Sequence, residues 1–418
     1  MKLFAVFVLI LSISWFVKPA FVSAAAQMQS EIAVYTSLGE ELSRYELDVP
    51  NATLTKKGSI RLAANVQFAA FHPNGHYLYV VSSNAGNGTL GAAGNTHLLS
   101  VFKIDKTNGG LQAYGEPVIL PERPIHITVD KSGNYALVAF NQSGTVRVYR
   151  ILRDGAIGEE VPQPQKPDGG IFTHQVMVTS TNNTVIALGR GNEAVQSRPA
   201  DIGSRTTFSF SDGVLTQVDK TYYEQELGPR HLAFHPTKPW VYVAMERGSK
   251  LQMHTLKDGI LSKEPLYQKE TLNNLEYVHK ERQKGGVVKI HPNGKYLYVT
   301  NRADGTIKEN GQAVIWAGGE NNIAVFKLDE TSGEPTLIQH IDCGGIEART
   351  FAIDPSGKLL VAANQKTMQV KTGDTLKTVP ANLSVFRIGD DGKLAFVRQY
   401  DVNAGSKWLL WMDLIEIK

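Results

Sequence analysis

Arg230 and Glu246 bracket the stretch GPRHLAFHPTKPWVYVAME, and together they are the chain's clearest offer of chemistry. A guanidinium can hold an anion through two parallel hydrogen bonds, and a carboxylate can take or give a proton. Residues 231–235 are short and apolar, Pro236 to Pro239 punctuate, and residues 240–245 are β-branched and aromatic, so the stretch reads as an antiparallel hairpin. The start of a hairpin's first strand and the end of its second lie side by side. Arg230 and Glu246 therefore meet at one rim.

That hairpin has relatives along the chain. FAAFHPNGHYLYVVSSN from Phe68, HITVDKSGNYALVAFN from His126, HQVMVTSTNNTVIALGRGN from His174, VVKIHPNGKYLYVTNR from Val287 and TFAIDPSGKLLVAANQ from Thr350 repeat its plan. Each is followed by a third strand-like run, such as TVRVYRI (145–151) or NIAVFKL (322–328), and by a weak fourth after a DG-type turn. A period of about 55 residues with four strands per unit predicts an all-β, seven-bladed β-propeller of four-stranded antiparallel blades. The seventh blade comes from IAVYTSL (32–38) and LSRYEL (42–47), which lack a first strand. KWLLWMDLIEI (407–417) is apolar and otherwise unemployed, so the C-terminal strand is expected to close the ring and remove both sheet edges.

With the repeats aligned, the residues opening the innermost strands are Gln67, Ile125, His174, Arg230, Gly286 and Arg349. Those closing the second strands include Asn84, Asn141, Glu246, Arg302 and Asn364. Several polar and ionisable side chains thus gather at one mouth of a central channel. Arginines can bind an anion, while Glu246 and His174 supply acid and base chemistry. Cationic neighbours would lower the pKa of Glu246 and burial would raise it. Long polar insertions, Asn84 to Asn95, Arg190 to Arg205, Ala303 to Asn321 and Lys366 to Ala381, all fall between second and third strands and should rim the same mouth. Trp316 is a candidate ligand cover among them.

Composition limits the setting. The chain has 418 residues, 42% hydrophobic and 20% charged, enough for a large core. Lys2, the apolar run from Leu3 to Val17 and the small residues Val22-Ser23-Ala24 read as a signal peptide over residues 1–26, with a single propeller domain over 27–418 and a periplasmic or secreted location. Cleavage there removes Lys2 and Lys18, taking the formal charge from +3 to +1. A nearly neutral chain without a basic run gives no reason to expect nucleic acid or, after cleavage, a membrane as partner. Cys343 is the only cysteine, so no internal disulfide forms, and CxxC, HExxH and EF-hand spacings are absent, so neither metal nor cofactor is expected.

GPRHLAFHP, AMERGS, KIHPNGKYLYVTNR and FAIDPSGKLLVAANQ resemble the lactonase, seven-bladed β-propeller family, which includes bacterial 6-phosphogluconolactonase and fungal carboxy-cis,cis-muconate cyclase. The similarity runs from Val34 to Val402. It implies a lactone-active site on His174, Arg230, Glu246 and Arg302. Where the family often shows Asp-Leu-Gly, this chain has Ala187-Leu188-Gly189, followed by a longer loop. The expectation is a monomeric lactonase-type hydrolase acting on an anionic small-molecule lactone at the channel mouth. Glu246 would be the general base, His174 a proton relay, and Arg230 and Arg302 the anion and oxyanion binders. Gln67, His126, His231, Arg349 and Asn364 would contact substrate. A cyclising enzyme of the same machinery and an exported, non-catalytic binding propeller are the alternatives.

Overall fold

In the computed structural model, which describes Met1 and residues 31–85, 94–309 and 313–417, the apolar β-branched runs of each repeat form the strands. The expected signal peptide lies outside the described residues apart from Met1. Strands opening the six complete repeats span Asn65–Phe71, Pro124–Val129, Thr173–Val178, Pro229–Phe234, Gln283–Ile290 and Ile346–Ile353. Each pairs antiparallel with the second strand of its own blade, and third and fourth strands add outward. The remaining blade is built from both ends of the described chain. Leu409–Ile417 pairs with Glu31–Leu38, from Glu31 opposite Ile417 to Leu38 opposite Leu409, and Glu41–Asp48 and Thr53–Arg61 complete the sheet. Each innermost strand also packs against the next, and the last against the first. The result is a closed seven-bladed β-propeller.

The core lies between blades. Leu137, Ala139 and Val148 of one sheet pack on Val176, Val185 and Phe208 of the next, and comparable clusters fill the other gaps. Two repeated polar links fasten neighbours across this apolar packing. Tyr79, Tyr242 and Tyr298, each seven residues past a turn histidine, donate hydroxyls to Gly155, Gly333 and Gly392 carbonyls of the following blade at 2.7–2.9 Å. The turn histidines His72, His235 and His291 likewise bond the turn carbonyls of Gly133, Gly294 and Gly357. Each such bond contributes about 1 kcal/mol net.

One irregularity recurs and builds the site. The innermost strands carry a β-bulge near the mouth, so that Gln67, Ile125, His174, Arg230 and Arg349 have no partner across the ladder. In Gln283–Ile290 the bulge takes Gly286 with Val287. A bulge kinks its strand and re-aims a side chain. Here it turns those side chains toward the channel.

The four insertions all leave from the mouth side, between second and third strands. Two of them form hairpins, one with Thr306–Glu309 and Ala313–Trp316, the other with Met368–Thr372 and Thr375–Val379. They join in a small extra sheet through Ile315 and Gln369.

Candidate functional site

Two cavities share part of their lining among the innermost strands. A mouth pocket of about 220 Å³ is lined by His174, Arg230, Glu246, Arg302 and Arg349 among others. A larger channel cavity of about 530 Å³ continues inward past Gln67, His126 and His231, sharing His174, Arg230 and Arg349 with the pocket.

Glu246 sits at the centre of the pocket's charges. Its Oε1 accepts from Arg302 Nη2 at 2.5 Å and its Oε2 from Arg190 Nη1 at 3.1 Å, while Arg230 Nε stands 3.6 Å away. Burial pushes its pKa up, but Arg190, Arg302, Lys284 and Arg230 together hold it well below the usual carboxylate range. It is ionised, buried and fully engaged. Arg302 is spent in the same way, donating from Nη1 to Glu347, from Nη2 to Glu246 and from Nε to the Gly285 carbonyl. Glu347 reaches it from a left-handed backbone, φ +62°, with its N–H held by Asn321 Oδ1.

Arg230 and Arg349 differ from Arg302. Arg230 Nε and Nη1 are buried without a hydrogen-bond partner, and the Arg349 guanidinium has no hydrogen bond or ion pair to any described residue. Burial and the nearby Arg302 bring the Arg349 pKa down to about 10, so it stays charged at neutral pH. His174 is buried, its Nδ1 unpartnered, and burial with Arg230 holds its pKa well below 6.5. Its imidazole is neutral. Unspent donors beside a neutral ring are what an anionic ligand would complete.

His126 and His231 lie along the channel. His126 lies against Phe68 with ring centres 4.1 Å apart and the planes tilted by 37°, and burial pushes its pKa down to about 3. His231 faces His174 at 5.1 Å between rings, with its Nδ1 taken by Gln175. Gln67 Oε1 accepts two bonds from Arg123. Trp316 donates its indole N–H to the Ala303 carbonyl and is not on the pocket wall.

Asn364 is not part of the site. Its amide donates to the Cys343 carbonyl and Asn382 Oδ1 inside its own blade, and it lines neither cavity. The alignment behind it slips by one residue. Counted eleven past the turn residue, the equivalents of Glu246 and Arg302 are Ser83, Asn141, Arg190 and Gln365, so Asn84 is one residue late as Asn364 is one early. Side chains alternate along a strand, so the slip exchanges the pocket for the blade interior. Gln365 does line the pocket, with neither amide atom hydrogen-bonded.

Counting seven back from the turn residue finds four more missed positions, Arg123, Phe172, Lys284 and Glu347, all on the pocket wall; Arg282, Asp304, Lys366 and Trp408 line it too and fit neither count. Ala187, at the family's acidic position, packs into the core between blades. The pocket receives Glu193 from the insertion that follows, a residue no repeat position announces. Across the lining, eight arginines and lysines face four carboxylates.

A family profile described as "Lactonase, 7-bladed beta-propeller" matches residues 30–374. The chain belongs to this family. Among its relatives, 6-phosphogluconolactonase of Bacillus subtilis is 25% identical over 368 residues, spanning 85% of this chain and 95% of the relative. The protein of the same name from Pectobacterium atrosepticum is 25% identical over 388 residues, with 93% and 100% covered. The solved periplasmic gluconolactonase of Pseudomonas aeruginosa superposes with a TM-score of 0.67 at 20% identity, covering 93% of this chain and 99% of that one. Membership of the lactonase family places the chain among lactonase enzymes, and the propeller neighbour supports the fold.

Proposed function

We propose that this lactonase hydrolyses a small anionic lactone bound in the mouth pocket. The observation that carries the reading is the pair of guanidiniums, Arg230 and Arg349, with unspent donors beside the neutral His174 in a pocket whose lining is cationic by four charges. One guanidinium holds the substrate's carboxylate or phosphate, and the other meets the oxyanion that develops when water adds to the lactone carbonyl. His174 offers a ring nitrogen to orient the water or the ring oxygen. Glu246 and Arg302 take different roles from those the sequence suggests. Both oxygens of Glu246 are occupied by arginines, which leaves it a poor base, and Arg302 has no free face for an anion. They hold the pocket's cations in place.

Residues 1–26 argue for export, and a protein of the same fold is named as periplasmic. Among the described residues no helix is long and apolar enough to cross a membrane.

The test is turnover by the purified protein on a panel of sugar-acid lactones with and without phosphate, carboxylated muconolactones and neutral lactones. Ring opening of anionic members well ahead of neutral ones of the same ring size is expected. Equal rates on neutral members would refute the anionic assignment. No turnover on any member, with a macromolecule bound instead, would return the rim insertions to the role of a binding surface.

A further inference from the structure

Hydrolysis in this pocket needs a group to take a proton from water, and the pocket's carboxylates are unequal candidates. Glu246, Asp304 and Glu347 are buried, with side chains 4%, 1% and 5% exposed. Glu246 is saturated by Arg302 and Arg190. Asp304 is saturated by Arg282, at 2.8 and 2.7 Å, and by Lys366. Glu347 is buried against Arg302. Each balances cations that would otherwise stand unpaired in a low dielectric.

Glu193 is built differently. Its side chain is 40% exposed, its Oε1 faces Lys284 and, at 3.5 Å, Arg190, and its Oε2 accepts no hydrogen bond from any described residue. It lines the same pocket as His174, Arg230 and Arg349. Nor is it a stray loop residue. Arg247, from the neighbouring blade, donates to the Asn192 and Asp201 carbonyls at 3.3 and 2.9 Å. Asn192 and Arg198 both bond Asp201 Oδ2, and Arg198 Nη2 donates to the Glu193 carbonyl itself. The insertion is thus tied at its base, and its backbone is pinned at the residue that enters the pocket. Two blades and a loop converge to hold one carboxylate with a free oxygen where water and substrate arrive.

We propose, resting on the lactonase reading above, that Glu193 is the general base and then the general acid of the reaction. Glu193 Oε2 takes a proton from water as the water oxygen bonds to the lactone carbonyl carbon. The carbonyl becomes an oxyanion at the free guanidinium. As the carbonyl re-forms, the bond from carbonyl carbon to ring oxygen breaks, and the Glu193 carboxylic acid returns the proton to that oxygen. The product is the hydroxy acid, and Glu193 is again a carboxylate. Lys284 and Arg190 keep it ionised between turnovers: burial raises its pKa, and Lys284 first among its neighbours brings it below the usual value.

The experiment uses the full-length protein and the lactone it turns over fastest. Glu193→Gln should lower kcat by a factor of about 10² to 10⁴ with little change in KM. Glu193→Ala should regain part of the lost rate in added formate, which a purely structural role would not allow, and Glu193→Asp should retain more activity than Glu193→Gln. Loss of the acidic limb of the kcat profile in Glu193→Gln is also expected. Wild-type turnover that survives Glu193→Gln within fivefold, or a Glu193→Ala protein that folds yet is deaf to formate, overturns the assignment alone. Failure of the wild type on every lactone overturns the lactonase reading, and this inference with it.

Discussion

Glu246 Oε1 lies 2.5 Å from Arg302 Nη2, a buried ion pair between the second strands of neighbouring blades. Arg190 meets the other oxygen from the preceding blade, and Glu347 takes the far side of Arg302 from the following one. Cation, anion, cation and anion thus alternate across four consecutive blades at the mouth. Burying any one of these charges alone would cost several kcal/mol, and the set is tolerable only because each member neutralises the next.

Glu246→Gln keeps the shape and removes the shared anion, leaving Arg190, Arg230, Arg302 and Lys284 to repel one another. A loss of about 3–5 kcal/mol is expected in urea unfolding. The double variant Glu246→Gln with Arg302→Gln should recover part of it, because the stranded cation goes too. A single variant within about 1 kcal/mol of wild type would mean that the chain of charges does not set the mouth's stability.

Arg349 should behave in the opposite way. Its guanidinium forms no ion pair that folding relies on, so Arg349→Met should leave the urea midpoint unchanged or raised. A charge-assisted hydrogen bond to substrate is typically about 1.5–3 kcal/mol, so kcat/KM on an anionic lactone should fall roughly 10- to 100-fold. Equal losses on anionic and neutral lactones would argue against Arg349 as the anion binder.

The propeller and its closure were legible because each rests on a pattern that survives without neighbours: alternating apolar runs, a turn residue and a tail with no other use. His174, Arg230 and Arg349 are legible because the bulge falls five residues before the turn residue in each of their blades. Arg190 and Gln365 are hidden because the sequence does not mark where the second strand ends to within one residue, and in a strand one residue reverses the face. The spent state of Arg302 depends on Glu347, whose left-handed backbone has no sequence signature in a glutamate. Glu193 belongs to an insertion that obeys no repeat.

Acid should destabilise the fold from two sources of the same sign. His126 has its pKa pushed down to about 3 by burial, and His174 and His231 lie well below 6.5 for the same first cause. The unfolded chain therefore binds protons below pH 6.5 that the native chain refuses, so stability falls with pH from there down. For His126 the loss approaches about 1.4 kcal/mol per pH unit until its native pKa is reached. Glu246 adds its share below the unfolded carboxylate range, since its folded pKa is depressed. His126→Phe should flatten the decline of the urea midpoint between pH 6.5 and 4.5, and an unchanged slope would show that His126 protonates freely in the native state.

Ring closure rests on Leu409–Ile417, which supplies the innermost strand of a blade whose other strands begin at Glu31. Removing residues 409–418 should expose the edge of Glu31–Leu38 and leave Trp411 and Met412 missing from two blade interfaces. Cooperative unfolding should be lost and the protein should aggregate through the open edge. A peptide of residues 407–418 added during refolding should restore the transition. A truncated chain that unfolds cooperatively by itself would mean that six complete blades suffice.

Asn364 and Gln365 offer the sharpest separation of scaffold from site, since they are adjacent and face opposite ways. Asn364→Leu removes the donor that satisfies the Cys343 carbonyl and Asn382 Oδ1, so a loss of about 1–3 kcal/mol is expected, with KM for substrate little changed in the protein that remains folded. Gln365→Leu removes an amide whose two polar atoms are buried and unpartnered, so stability should hold or rise. Its effect should instead appear in kcat/KM, because the pocket wall loses polar atoms that only a ligand or water can satisfy. Urea midpoints and kinetics on the two variants decide the matter. If Gln365→Leu unfolds like Asn364→Leu and leaves kinetics untouched, the position eleven past the turn is scaffold in this blade.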